Sequence, residues 1–267
     1  MRIVLIILSN LVVVGLAHRR KSLDKSGTVA AWLLGSGIFL LGNGFMWFIL
    51  MSFFVSSSLL TAYTRRYRPS DDSSREETSG RSYIQVLANG GLGLLLAVLY
   101  RITAADACLL AFAAAFAAAN SDTWASEIGG LSKNPPVSIV TGKPMARGLS
   151  GGISPLGTAA SMAGAAFIAF IFILGHGRLY GAGGQANPWF LFSLITAAGF
   201  LGSLVDSLLG ATVQGKFYSC IHHRIVEKAD YLGEKTRHLT GLRFINNDLV
   251  NISSALVAAL FAICVWL

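Results

Sequence analysis

Apolar residues in this chain come in long blocks, without the alternation of a half-buried strand or the one-sided stripe of a soluble surface helix. Bounded by charges or by Gly and Pro clusters, the blocks cover approximately 3–17, 28–41, 44–63, 84–100, 104–119, 155–174, 189–210 and 250–267. Such blocks predict membrane-crossing helices, because about 20 apolar residues are needed to cross roughly 30 Å of hydrocarbon. The shorter blocks are expected to extend into polar turns, to lie where the bilayer thins, or to be partly re-entrant. A break at Leu41-Gly42-Asn43-Gly44 separates the second block from the third, and the count turns on it. The predicted fold class is all-α: a polytopic transmembrane helical bundle of about eight spans, with seven and nine as bounds. It reads as one integral-membrane domain over residues 1–267 with polar loops at 64–82 and 211–248.

Composition sharpens this reading. Charged residues make up 13% of the 267 and hydrophobic ones 54%, against about 25% and about 45–50% in soluble domains. So little charge excludes a disordered chain and an ordinary soluble enzyme. The net charge of +8 would suit a nucleic-acid binder, but the cations are sorted by loop. Counted across the eight spans, 18 of the 21 Lys and Arg fall on one side, and Arg2, Arg101 and Arg178 on the other. Lys and Arg concentrate on the cytoplasmic side of membrane proteins. Both termini are therefore expected outside, with the 64–82 and 211–248 loops in the cytoplasm. His18-Arg19-Arg20-Lys21 favours a retained first helix over a cleaved signal. Runs of small residues at 111–120 and 161–166 predict close helix contacts within lipid.

Acids within or at the ends of spans are expensive and therefore informative. Asp24, Asp122, Glu127, Asp206 and Asp248 all fall near the predicted cytoplasmic ends. They either converge on one site or serve as separate caps and ion pairs. The densest segment is Asn120-Ser121-Asp122-Thr123-Trp124-Ala125-Ser126-Glu127. Asp122 and Ser126 are neighbours on a helix, whereas Glu127 lies about 140° away from Asp122. Glu127 can join Asp122 on a hard cation such as Mg²⁺ if the helix unwinds before Gly129, with Asp206 as a third carboxylate.

A Gly-rich stretch at 141–161 holds Lys143, Arg147, Gly151 and Gly152 ahead of an apolar helix. Free backbone N–H groups beside a cation suit a phosphate, although Pro144 rules out a Walker A loop. Asp24 and Lys25 at one helix start, Lys216 after the Asp206 helix, and Asn246, Asn247 and Asn251 at the last helix are further candidates for phosphate or ribose. The asparagines and Asp24 are equally suited to capping. The three cysteines have no metal or redox spacing, and Cys220 with His222, His223 and His238 does not make a zinc site.

Four motifs follow one another: N-S-D-T-W-A-S-E-I-G, T-G-K-P-x-x-R-G-x-x-G-G-x-S, V-D-S-L-L-G-A-T-x-Q and N-N-D-x-V-N. In that order, and over essentially the whole chain, they resemble the integral-membrane family that contains transmembrane protein 19 and the plastid phytyl-phosphate kinases. The resemblance implies a kinase that converts an isoprenoid monophosphate to the diphosphate with CTP or another nucleoside triphosphate. Through the motifs it adds Asn120, Ser121, Ser154, Ser207 and Gln214 to the binding candidates. On this reading Asp122, Glu127 and Asp206 hold Mg²⁺, while Lys143, Arg147 and the Gly151-Gly152 backbone neutralise phosphates, with Lys25 or Lys216 assisting. The partners are a nucleoside triphosphate, an isoprenoid lipid phosphate and membrane lipid. Two alternatives use the same residues: a membrane cytidylyltransferase acting on a lipid phosphate, and a transporter whose acids line a pathway. The gathering of the acids at one depth argues against transport.

Overall fold

The computed structural model describes residues 2–67, 80–180 and 187–267. Among them are eight helices: α1 (Arg2–Arg19), α2 (Lys25–Leu41), α3 (Gly44–Thr64), α4 (Tyr83–Thr103), α5 (Asp106–Gly129), α6 (Pro155–Tyr180), α7 (Pro188–Thr212) and α8 (Asn247–Trp266). Each expected block lies within one helix except 104–119, whose helix begins at Asp106, and the last, whose helix ends at Trp266. The break at Gly42-Asn43 is real, because Asn43 caps α3 by accepting the Phe45 and Met46 N–H groups, both at 2.9 Å. Asn187 caps α7 in the same way, with Pro188 in its first turn. Most of the 64–82 connector, residues 68–79, lies outside the described residues.

Five helices, α3, α4, α6, α7 and α8, are long and apolar enough to cross a membrane by length and composition. The described apolar lengths of α1 and α2 are shorter, and polar residues dilute the 24 residues of α5. Large apolar side chains such as Leu33, Phe48, Leu95, Phe170 and Leu260 are exposed on the outer surface, where hydrocarbon would meet them.

α5 is the hub, packed against α3, α4, α6, α7 and α8. Every residue from Leu109 to Ser121 is buried. Its alanines let neighbours come close: a Cβ at Gly199 of α7 would stand 2.7 Å from the Ala117 Cβ, and one at Gly202 would stand 2.5 Å from the Ala118 Cβ. Such approach is how helices gain packing energy within lipid.

One end of the bundle carries the α1–α2, α3–α4, α5–α6 and α7–α8 connections. There the α1–α2 turn pairs with residues leading into α4, through Arg81 N–H to the Ser22 carbonyl (3.0 Å) and Asp24 N–H to the Arg81 carbonyl (3.1 Å). The α5–α6 connection contains a hairpin of β1 (Val137–Ser138) and β2 (Gly152–Ile153). The 211–248 segment is more than the loop expected from sequence. It holds a sheet of order β4-β3-β7, with β3 (Lys216–Ser219), β4 (Arg224–Val226) and β7 (Arg237–Thr240), and a hairpin of β5 (Asp230–Tyr231) with β6 (Glu234–Lys235). Phe217, Val226 and Tyr231 form its small core. The all-α expectation is corrected to this extent: the bundle is helical and bears a small β module at one end.

Candidate site at the polar end of the bundle

α5 stays helical to Gly129, closed by the Gly130 N–H on the Ser126 carbonyl at 3.1 Å. The unwinding that would bring Glu127 round to Asp122 does not occur. Glu127 instead faces α3, where its carboxylate accepts the Thr61 hydroxyl at 2.8 Å and the Thr64 hydroxyl, and the Arg81 guanidinium acts on it electrostatically. Among the described residues no three Asp, Glu, His or Cys side chains gather closely enough to hold a metal ion together. The expected trio of Asp122, Glu127 and Asp206 is therefore not assembled.

Asp122 and Asp206 lie on the packed helices α5 and α7, and the Asp122 charge acts on Asp206. Asp206 is buried and accepts the Ser254 hydroxyl of α8 at 3.2 Å. A third carboxylate, Glu227 at the end of β4, also acts on Asp206. Glu227 accepts the Ser150 N–H at 2.6 Å, the Ser150 hydroxyl at 2.9 Å and the Gln214 amide at 2.8 Å. Desolvation pushes its carboxyl above the usual range, against the pull of the Ser150 and Gln214 hydrogen bonds and the Lys216 charge. Burial pulls the Lys216 ammonium down, and Glu227 opposes that. Lys216 donates to the Ser150 carbonyl at 3.1 Å, and the Ser150 hydroxyl lies 3.5 Å from the Asn247 side-chain oxygen.

The 150–151 turn is seated on α7. Gly151 has φ +90, and a Cβ there would stand 2.6 Å from Ala211, so only glycine fits both the angle and the space. A Cβ on Gly152 would meet Pro136 and Met145. These glycines thus serve close packing, and the Gly151 carbonyl accepts the Ile139 N–H at 3.0 Å.

Other expected site residues have structural partners. Asn120 and Ser121 are fully buried: Asn120 joins Ser56 and Ser57 of α3 to the Gly164 carbonyl of α6, and Ser121 bonds Ser161. They are interhelical hydrogen bonds away from any open surface. Asp24 caps α2 by accepting the Gly27 N–H at 2.7 Å, which with the Ser26 hydroxyl holds it below the ordinary Asp range. Asn246 caps α8 through Leu249, and the Ser154 hydroxyl accepts the Gly157 N–H at the start of α6. Arg147 ties its loop to the exit of α5 through the carbonyls of Ser132 (2.7 Å) and Lys133 (2.9 Å). Lys143 and Lys25 are exposed, as is Ser126 one turn beyond Asp122. Ser207 adjoins Asp206, and Asn251 passes its carbonyl to the Ser254 hydroxyl at 3.0 Å. Glu234 organises the 219–222 turn through Ser219, Cys220 and Ile221, and His222 and His238 meet Tyr231 and Phe217 edge-on. The structure therefore joins Asp122, Asp206, Gln214, Lys216 and Asn247, and adds Ser150, Glu227 and Ser254, which the sequence reading missed.

Helices with an apolar exterior and a carboxylate-bearing polar end define a polytopic integral-membrane protein. The family described as integral membrane protein DUF92 matches residues 8–259, and the chain belongs to it. This agrees with the family suggested by the four motifs. The chain is 30% identical to Protein PGR of Arabidopsis thaliana over 259 residues, 91% of this chain and 88% of that one. It is 32% identical to an uncharacterized membrane protein of Methanocaldococcus jannaschii over 205 residues, 74% of this chain and 77% of that one. No solved structure matches it.

Proposed function

We propose that the protein is a membrane kinase that transfers the terminal phosphoryl group of a nucleoside triphosphate, CTP or another, to an isoprenoid monophosphate. The observation that carries this reading is the meeting of Asp122 and Asp206 beside Lys216, Gln214 and the Ser150 turn, at the end of an apolar bundle. That end holds the loops in which Lys and Arg concentrate, which supports a cytoplasmic orientation in the cell membrane with access to nucleotides. An isoprenoid chain would lie among apolar helix surfaces while its phosphate reaches the same interface.

The donor set fits Mg²⁺, which is commonly bound by one or two carboxylates together with substrate phosphates and waters. Asp122 and Asp206 would hold it, and when bound it would offset negative charge on the nucleotide phosphates. In the transfer, an oxygen of the prenyl phosphate bonds to the γ-phosphorus while the bond to the β-phosphate oxygen breaks, and a nucleoside diphosphate leaves. The attacking group is already an anion, so no side chain has to take a proton. The task left to the protein is positioning and electrostatic stabilisation. Lys216 and Gln214 supply donors at the phosphate end, and the Ser150 turn fixes their geometry.

Purified protein incubated with nucleoside triphosphates and prenyl monophosphates of several lengths, with products read by mass, tests the proposal. Prenyl diphosphate with nucleoside diphosphate is the expected pair. Pyrophosphate with a nucleotide attached to the lipid would assign a cytidylyltransferase instead.

A further inference from the structure

Four donors converge around Ser150, and a carboxylate of the chain itself fills the space between them. The Ser150 N–H (2.6 Å), the Ser150 hydroxyl (2.9 Å) and the Gln214 amide (2.8 Å) all point at Glu227, and the Lys216 charge acts on the same carboxylate. A backbone N–H, a hydroxyl, an amide and an ammonium are the groups with which proteins hold phosphate oxygens.

Three observations separate this arrangement from a plain structural clamp. The turn is already seated on α7 by the Gly151–Ala211 approach and by Gly210, whose added Cβ would stand 2.6 Å from the Ser150 Cβ. Glu227 also repels the buried Asp206, so it is an unfavourable choice for holding a loop that packing already holds. Finally, Gln214 is 1% exposed and turns its amide nitrogen toward the cradle, while its own carbonyl oxygen has no hydrogen-bond partner among the described residues. Leaving a buried acceptor unpaired is destabilising, which fits a group whose donor must face an incoming anion.

We propose that Ser150, Gln214 and Lys216 form a phosphate-binding cradle that Glu227 occupies in the resting protein and vacates when a phosphate enters. The proposal rests on the phosphotransfer reading for the kind of anion, while the cradle itself is tested without turnover. Removing an internal competitor raises apparent affinity by the inverse of the fraction of time the site stands open, so a site filled about nine-tenths of the time gains roughly tenfold.

The test is calorimetric binding of inorganic pyrophosphate, and in parallel of a prenyl monophosphate in micelles, to the wild type, Glu227→Gln and Glu227→Ala. Both variants are expected to bind pyrophosphate, standing for the nucleotide, about tenfold more tightly. The gain is expected to vanish when Ser150→Ala or Gln214→Ala is added. A gain confined to the prenyl monophosphate keeps the cradle and assigns it to the acceptor. Equal or weaker binding of both probes by folded variants overturns the proposal. Amide exchange on the wild type decides the matter if the variants do not fold. Pyrophosphate should then speed exchange around 224–228 while protecting 148–152, whereas added protection of both segments, or no change in either, refutes the proposal. Tighter pyrophosphate binding in a protein that makes no prenyl diphosphate would keep the cradle and remove the kinase.

Discussion

Asp122 and Glu127 stand five residues apart on one continuous helix, and that geometry sends them to different neighbours. Glu127→Ala would leave the Thr61 and Thr64 hydroxyls without the acceptor that they share. A loss of about 1–3 kcal/mol is expected, seen as a lower melting temperature in detergent. Glu234 makes a pH-dependent contribution. The Ser219 hydroxyl, then the Cys220 and Ile221 amides, hold its carboxyl below the ordinary Glu value of 4.5. A depressed folded value means the contribution is complete above the unfolded value and is lost as pH falls through the folded one. Protection of the Cys220 and Ile221 amides, taken relative to intrinsic exchange at each pH, should therefore fall as pH drops below 4.5, and Glu234→Gln should show low protection at neutral pH too. A protection factor that does not change with pH would refute the assignment. At this scale Asp122, Asp206, Gln214 and Lys216 were legible in the sequence as polar residues at span ends. Glu227 and Ser150 were not, because their contact joins positions 77 residues apart and no local pattern announces it.

The helices were legible as elements because their apolar runs are long and end at residues that cap them, such as Asn43, Asn187 and Asn246. The continuation of α5 through 120–129 was less so, since its polar residues end the apolar run while the backbone stays helical. Those residues answer to α3 and α6, which bond Asn120, Ser121 and Glu127 from the sides. The strands of the β module are two to four residues long, too short to leave a period. Packing of α7 on α5 gives the test at this scale. Gly199→Val would force side-chain atoms against Ala117, whose backbone carbon lies 2.9 Å from the Cβ position. Overpacking of this kind costs roughly 1–3 kcal/mol. Gly91→Ala in α4, with nothing within 4 Å, should leave melting unchanged or raise it, as helical Gly→Ala can stabilise by about 0.5–1 kcal/mol. Equal melting of both variants would contradict the close α5–α7 approach.

For the whole molecule, the sorting of cations gave a topology and the structure gives a matching asymmetry, with the β module and the carboxylates at one end. The native cysteines can read its orientation. Cys220 is exposed on the β module, while Cys108 begins α5 at the opposite end. With Cys108 and Cys264 changed to Ser, a membrane-impermeant maleimide should label Cys220 in inside-out vesicles and leave it unmodified in intact cells; labelling in intact cells would reverse the orientation. The proposed function divides the roles: Asp122 and Asp206 together serve phosphoryl transfer, while Glu127 belongs to the helix packing. It is tested most directly by transfer of label from a γ-labelled nucleoside triphosphate to a prenyl monophosphate, comparing Asp122→Asn, Asp206→Asn and Glu127→Gln with the wild type. Loss of a transition-state electrostatic contact predicts a drop of about 100-fold or more for the first two, with Glu127→Gln within a fewfold of wild type. Full activity in either aspartate variant, or a Glu127→Gln protein as inactive as they are, would contradict it.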